Sequence, residues 1–198
     1  MMIFAMLLAV FLGTVMSFSH ILSAPLIEAC LQITDISLII LLFLIGFDIG
    51  NNRESLKTLL KADRYALIIP VGTIIGTIFG GYLVSIITDL TANEGMAIAS
   101  GFGWHSLSAV LLTEMKGSDI GAIAFLSNVF RESITILSIP FLSKLVGPYA
   151  AIAPGGATTM DVTLPIIEKY CGKRAAIIGF INGVILSTLV PIIIPLYA

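Results

Sequence analysis

Apolar residues run almost unbroken along this chain, and stretches 1–27, 36–47, 65–88 and 175–198 contain no Asp, Glu, Lys or Arg. About 20 apolar residues in an α-helix cross the roughly 30 Å hydrocarbon layer of a bilayer. The pattern therefore predicts helices over about 2–19, 30–49, 65–88, 119–145 and 174–197, five spans in all. Two intervening segments are too irregular for ordinary spans. Segment 95–115 carries Gly95, Gly101 and Gly103 with three serines, and segment 148–166 carries Pro148, Pro154, Gly155, Gly156 and Pro165. Both predict re-entrant or broken helices that face inward, because lipid offers no partner for freed backbone amides and carbonyls.

Composition fixes the class: 58% of residues are hydrophobic, 11% are charged, and the mean hydropathy is +1.07. That is an all-α polytopic membrane protein whose main partner is the lipid bilayer. The formal charge of −2 identifies no partner, and the absence of a basic tract excludes a nucleic-acid binder. Apolar segment 1–19 has no Lys or Arg ahead of it, so it reads as a retained first helix rather than a cleaved signal. Cys30 and Cys171 form no CxxC pair and have no neighbouring histidine, which argues against a zinc site or a redox motif. No cofactor is implied.

Basic residues set the expected orientation. Arg53, Lys57, Lys61 and Arg64 cluster in loop 51–64, whereas loop 19–29 holds no Lys or Arg. The first loop is expected in the cytoplasm. If each broken segment enters and leaves on one side, Lys144, Lys169, Lys173 and Arg174 fall on the cytoplasmic side too. The N-terminus is then cytoplasmic and the C-terminus outside. The two broken segments enter from opposite sides, an arrangement like that of inverted-repeat transporters, whose sites lie near the midplane. On this layout Cys30 lies outward and Cys171 inward, too far apart for a disulfide.

Charges at membrane depth carry the chemistry, since one at the bilayer centre costs about 2.5 to 3.5 kcal/mol on insertion scales. In "NVFRES" (128–133), Asn128, Glu132 and Thr135 fall at i, i+4 and i+7 and share a helix face. Arg131 points away from Glu132, so each needs a partner on another element; the structural alternative is a fixed interhelical ion pair. Asp161 ends "APGGATTMDVTLP" (153–165), behind a Gly-Gly break and the Thr158/Thr159 pair, groups suited to a cation or polar ligand. Its structural alternative is a helix N-cap. Asp35 and Asp48 bracket the second predicted helix, with Asp48 the more interfacial. His105 reads equally as a proton carrier or as a hydrogen-bonding residue of a polar hairpin.

"GFGWHSLSAVLLTE" (101–114), "NVFRES" and "APGGATTMDVTLP", in this order and spacing, resemble the lysine exporter (LysO) family, and the likeness extends from "LLFLIGFDIG" (41–50) to the C-terminal helix with Pro191 and Pro195. The resemblance implies an inner-membrane carrier that exports L-lysine and close analogues against protons, with acids matching Glu132 and Asp161 required. It also implies two departures. About three N-terminal helices of longer relatives have no counterpart here, which makes a small membrane partner or a homodimer an expectation for a chain that otherwise forms one transporter domain over 1–198. Where this chain has His105, much of the family is expected to have Tyr.

A basic amino acid suits the residues. Half-helix N-termini at the glycine-rich breaks favour a carboxylate, while Glu132 and Asp161 favour an ammonium. Protons and lysine would then compete for the same acids. A channel or structural subunit of a larger complex is the alternative. An intramembrane enzyme using His105 with Ser106 or Ser108 is disfavoured, as no third group completes the constellation.

Overall fold

The structure, a computed structural model, describes Leu12, Val15, Met16, Cys30, Ile33, Ile36, Ile40 and residues 64–198. The chain divides into two units, Met1–Asp48 and Ile49–Ala198. In the first, the seven described residues are helical and exposed. They fall within the predicted spans 2–19 and 30–49; residues 2, 19 and 49 at the limits of these spans lie outside the described residues, as do Asp35 and Asp48.

The second unit is helical, without strands among the described residues. Three of its helices are long and apolar enough to cross a membrane: α1 (Tyr65–Ile86), α4 (Ser118–Leu145) and α6 (Lys173–Tyr197). They match the predicted 65–88, 119–145 and 174–197. Between α1 and α4 lie α2 (Ala92–Ala99) and α3 (His105–Lys116). Between α4 and α6 lie a 3₁₀ arm (Ala150–Met160) and α5 (Leu164–Cys171).

Local chemistry sets these limits. Thr91 and Glu94 form a reciprocal capping box that starts α2: the Thr91 hydroxyl accepts from the Glu94 N–H at 3.3 Å, and the Glu94 carboxylate accepts from the Thr91 N–H at 2.8 Å. Gly117, at φ +94°, turns the chain from α3 into α4, and Gly172, at φ +88°, turns it from α5 into α6. The sequence Glu168 to Arg174 reads as a basic loop, but its first part is helical. Pro165 opens α5, whose Ile167 is buried while Glu168, Lys169 and Tyr170 face out. A helix of 8 residues is too short for periodicity to reveal it.

Both broken segments fold back as hairpins. Helix α2 runs antiparallel to α1, with Gly95 so close to Gly81 that a Cβ on either would come within 2.5 Å of the other's carbonyl oxygen. Only glycine permits this approach. Helix α3 returns beside α4, where Ala109 and Thr113 flank Gly121 and Ser108 meets Asn128. Thr77 of α1 meets Arg131 of α4, while Val84, Leu90 and Ile123 line a common cavity, so the α2–α3 hairpin opens at the Ile86 end of α1.

The other hairpin opens at the opposite end. There Ile139, Ile152, Ile167, Ala175, Ala176 and Ile178 form a buried cluster against which Tyr65, Ile69 and Tyr149 pack. Tyr65, the first residue of α1, stacks on Tyr149 with ring centroids 4.4 Å apart. The two hairpins thus reach the middle of this unit from opposite ends and meet tip to tip.

Candidate functional site

The meeting point is made of backbone. The Ala157 N–H donates to the Phe102 carbonyl at 2.8 Å, joining the two tips. Phe102 is fully buried and adopts φ +48°, and Gly156 adopts φ +58°, ψ −127°. A Cβ at Gly156 would collide with the Phe102 carbonyl oxygen. The glycine pair flagged in "APGGATTMDVTLP" is thus a contact surface between tips as well as a helix breaker.

Each tip is held by an asparagine from a spanning helix. Asn128 of α4 accepts from the Gly103 N–H at 2.7 Å and donates to the Ala124 carbonyl at 2.9 Å and to the Ser108 hydroxyl at 3.2 Å. Asn182 of α6 donates to the Gly156 carbonyl at 3.0 Å and the Thr159 hydroxyl at 3.1 Å, while its own Oδ1 is buried with no hydrogen-bond partner. Sequence reasoning missed Asn182. The signal was an amide within an otherwise apolar predicted span, the same signal that singled out Asn128.

Asn128, Glu132 and Thr135 are all buried, as their common helix face requires. The Thr135 hydroxyl is taken up locally, donating to the Arg131 carbonyl at 2.8 Å. Glu132 is 3% exposed, and its Oε2 lies 3.5 Å from Nδ1 of His105, which is also buried. The His105 ring meets Phe125 edge-on at 5.5 Å. The histidine is therefore the direct neighbour of the mid-helix acid.

Asp161 sits in the turn between the 3₁₀ arm and α5, within electrostatic reach of both Glu132 and His105. It does not cap α5, whose N-cap is Thr163. Its Oδ1 accepts from the next N–H, that of Val162, at 2.6 Å, and its side chain remains exposed. Thr158 and Thr159 are buried with their hydroxyl protons committed. Thr158 donates to the Gly155 carbonyl at 2.8 Å, and Thr159 lies 2.7 Å from the carbonyls of Gly156 and Gly179. Any ligand they meet can use only their oxygen lone pairs.

Arg131 turns to the other side of α4. Its Nε donates to the Pro154 carbonyl at 2.9 Å and Nη2 to the Thr77 hydroxyl at 3.1 Å. Among the described residues no carboxylate lies within 4.0 Å of its guanidinium, so none of them forms the interhelical ion pair with it. The described residues hold no cluster of three or more His, Cys, Asp or Glu placed to bind a metal ion.

Apolar helices of spanning length around a polar, hairpin-built centre define a polytopic membrane protein. The sequence profile described as "Lysine exporter LysO" matches residues 7–198, and the chain belongs to that family. It is similar to the lysine exporter LysO of Escherichia coli (strain K12), at 39% identity over 167 residues that cover 84% of this chain and 55% of that relative. The chain thus spans about half the length of the Escherichia coli protein. A protein of Haemophilus influenzae (strain ATCC 51907 / DSM 11121 / KW20 / Rd), provisionally named as a lysine exporter, is 33% identical over 161 residues, or 81% of this chain and 82% of that relative. No solved structure matches.

Proposed function

We propose that this chain exports L-lysine and close analogues across the inner membrane in exchange for protons. The observation that carries the reading is the acid cluster at the hairpin tips: Glu132 buried against His105 at 3.5 Å, with Asp161 within electrostatic range of both. A buried carboxylate beside a titratable imidazole can hold either a proton or an ammonium, and each displaces the other. Proton uptake from outside would release lysine outward, and lysine binding from inside would release the proton. The names carried by the two relatives support the choice of solute.

The remaining parts of the proposal follow from this reading. The five spans and two opposed hairpins form an inverted repeat that rocks about the tips, with residues 1–198 acting as one transporter domain. The N-terminus is cytoplasmic and the C-terminus outside. A small membrane protein of about three spans, or a second copy of this chain, completes the carrier. Asn128, Thr158 and Thr159 contribute polar groups to the site.

Counterflow of labelled lysine into proteoliposomes tests the reading. Glu132→Gln and Asp161→Asn should each abolish exchange while the protein remains inserted and folded, and co-reconstitution with the partner should raise the wild-type rate. Wild-type rates and unchanged pH dependence in both variants would refute it.

A further inference from the structure

Among the described residues Arg131 is a cation without a counter-charge. Two of its nitrogens donate to neutral acceptors, the Pro154 carbonyl and the Thr77 hydroxyl, and no carboxylate of the described residues stands within 4.0 Å. Leaving a guanidinium at such depth uncompensated is costly. If locking the bundle were its whole purpose, a carboxylate on a neighbouring helix would serve better.

The guanidinium lines a cavity of about 310 Å³, within the range of small-ligand sites. The cavity lies between α1, the α2–α3 hairpin and α4, and extends from Leu90 near the end of α1 to Thr77 and Arg131 at mid-depth. Its walls are otherwise glycine and aliphatic carbon, apart from the Thr77 and Ser127 hydroxyls and the Asn128 amide. Among the described residues lining it, Arg131 is the one that carries a charge. With Nε and one Nη2 proton engaged, three of the five guanidinium N–H donors, two on Nη1 and one on Nη2, remain for an anionic ligand such as a carboxylate.

Resting on the exporter reading above, we propose that this cavity is the carboxylate subsite of the carrier, where Arg131 binds the α-carboxylate of the transported amino acid. Glu132 lies on the same helical turn as Arg131 but points about 100° away from it, since the two are consecutive residues, and Asp161 is within electrostatic reach of Glu132. A zwitterionic solute with an extra ammonium is then recognised from two sides, the negative end at Arg131 and the positive end at the acids. Diamines that lack the carboxylate satisfy only half of the site.

Competition against labelled lysine counterflow, in proteoliposomes of the assembly that supports it, reads this directly. With the wild type, unlabelled lysine should compete roughly 10- to 100-fold better than lysinamide or cadaverine, the factor expected for one charge-assisted hydrogen-bonded pair. In Arg131→Gln that preference should collapse to within about threefold, through weaker lysine binding alone. Arg131→Lys, which keeps the charge but loses the fork, should retain an intermediate preference. A second measurement needs no variant: phenylglyoxal modification of Arg131 in the wild type, read by mass spectrometry, should be slowed by lysine and not by lysinamide.

Absence of wild-type counterflow would sink the exporter reading itself. Wild-type counterflow with the lysine preference intact in Arg131→Gln, or with lysine and lysinamide weakened equally, would overturn the carboxylate subsite alone. Protection of Arg131 by phosphatidylglycerol vesicles and not by lysine would assign the cavity to a lipid phosphate, and would overturn it too.

Discussion

Gly156→Ala is the sharpest probe of the join between the hairpins. Gly156 holds φ +58°, ψ −127°, a conformation that costs an L-residue about 1 to 3 kcal/mol. The new methyl would also run into the Phe102 carbonyl oxygen, so the 2.8 Å bond from the Ala157 N–H must open and leave a buried acceptor unpaired, at about 1 to 3 kcal/mol more. The two effects together predict a loss of about 2 to 6 kcal/mol, which for a chain of this size lowers the melting temperature by roughly 4 to 24 °C. Thermal denaturation in detergent, followed by fluorescence-detected size exclusion, measures this. Gly72→Ala is the matched control, because a Cβ there meets nothing within 4 Å. If Gly156→Ala melted within about 1 °C of the wild type, the tip contact would not be what holds the hairpins together.

Asn128→Ala removes the acceptor of the Gly103 N–H and should raise hydrogen exchange across residues 100–104, with a loss of about 1 to 3 kcal/mol; unchanged protection there would contradict its role as anchor. At the start of α2, the Thr91 N–H and then the Thr91 hydroxyl hold the Glu94 carboxyl below its ordinary value of 4.5. A lowered carboxylate contributes stability that is complete above about pH 4.5 and is lost as pH falls through the folded value, so the protection factors of residues 92–99, corrected for the intrinsic exchange rate at each pH, should fall on acidification in the wild type and show no such step in Glu94→Gln.

The spanning helices were legible because lipid imposes a simple rule on composition, and α1, α4 and α6 end within two residues of their predicted limits. The hairpins were legible as breaks, through Gly101, Gly103, Pro154, Gly155 and Gly156, since no lipid-exposed helix accommodates such runs. Their extent was not: α5 hides in a stretch that reads as a charged loop, because its apolar face needs few residues. That Arg131 and Glu132 would find separate partners followed from helix geometry. Which partners they found did not, because the Glu132–His105 and Arg131–Thr77 contacts join positions 27 and 54 residues apart and depend on how the hairpins dock. Asp161 stands out in the sequence by the Gly-Gly break and the Thr158/Thr159 pair before it, and its electrostatic reach to Glu132 comes from the same docking.

Trp104 is the single tryptophan of the chain and stands at the N-cap of α3, between Gly103, whose N–H binds Asn128, and His105, which faces Glu132. The long-wavelength ultraviolet emission of this chain therefore comes from the seam between the two hairpins. Filling, emptying or protonating that seam changes the local polarity around one indole and nothing else that emits in this band, so the chain carries its own optical reporter with no label to attach.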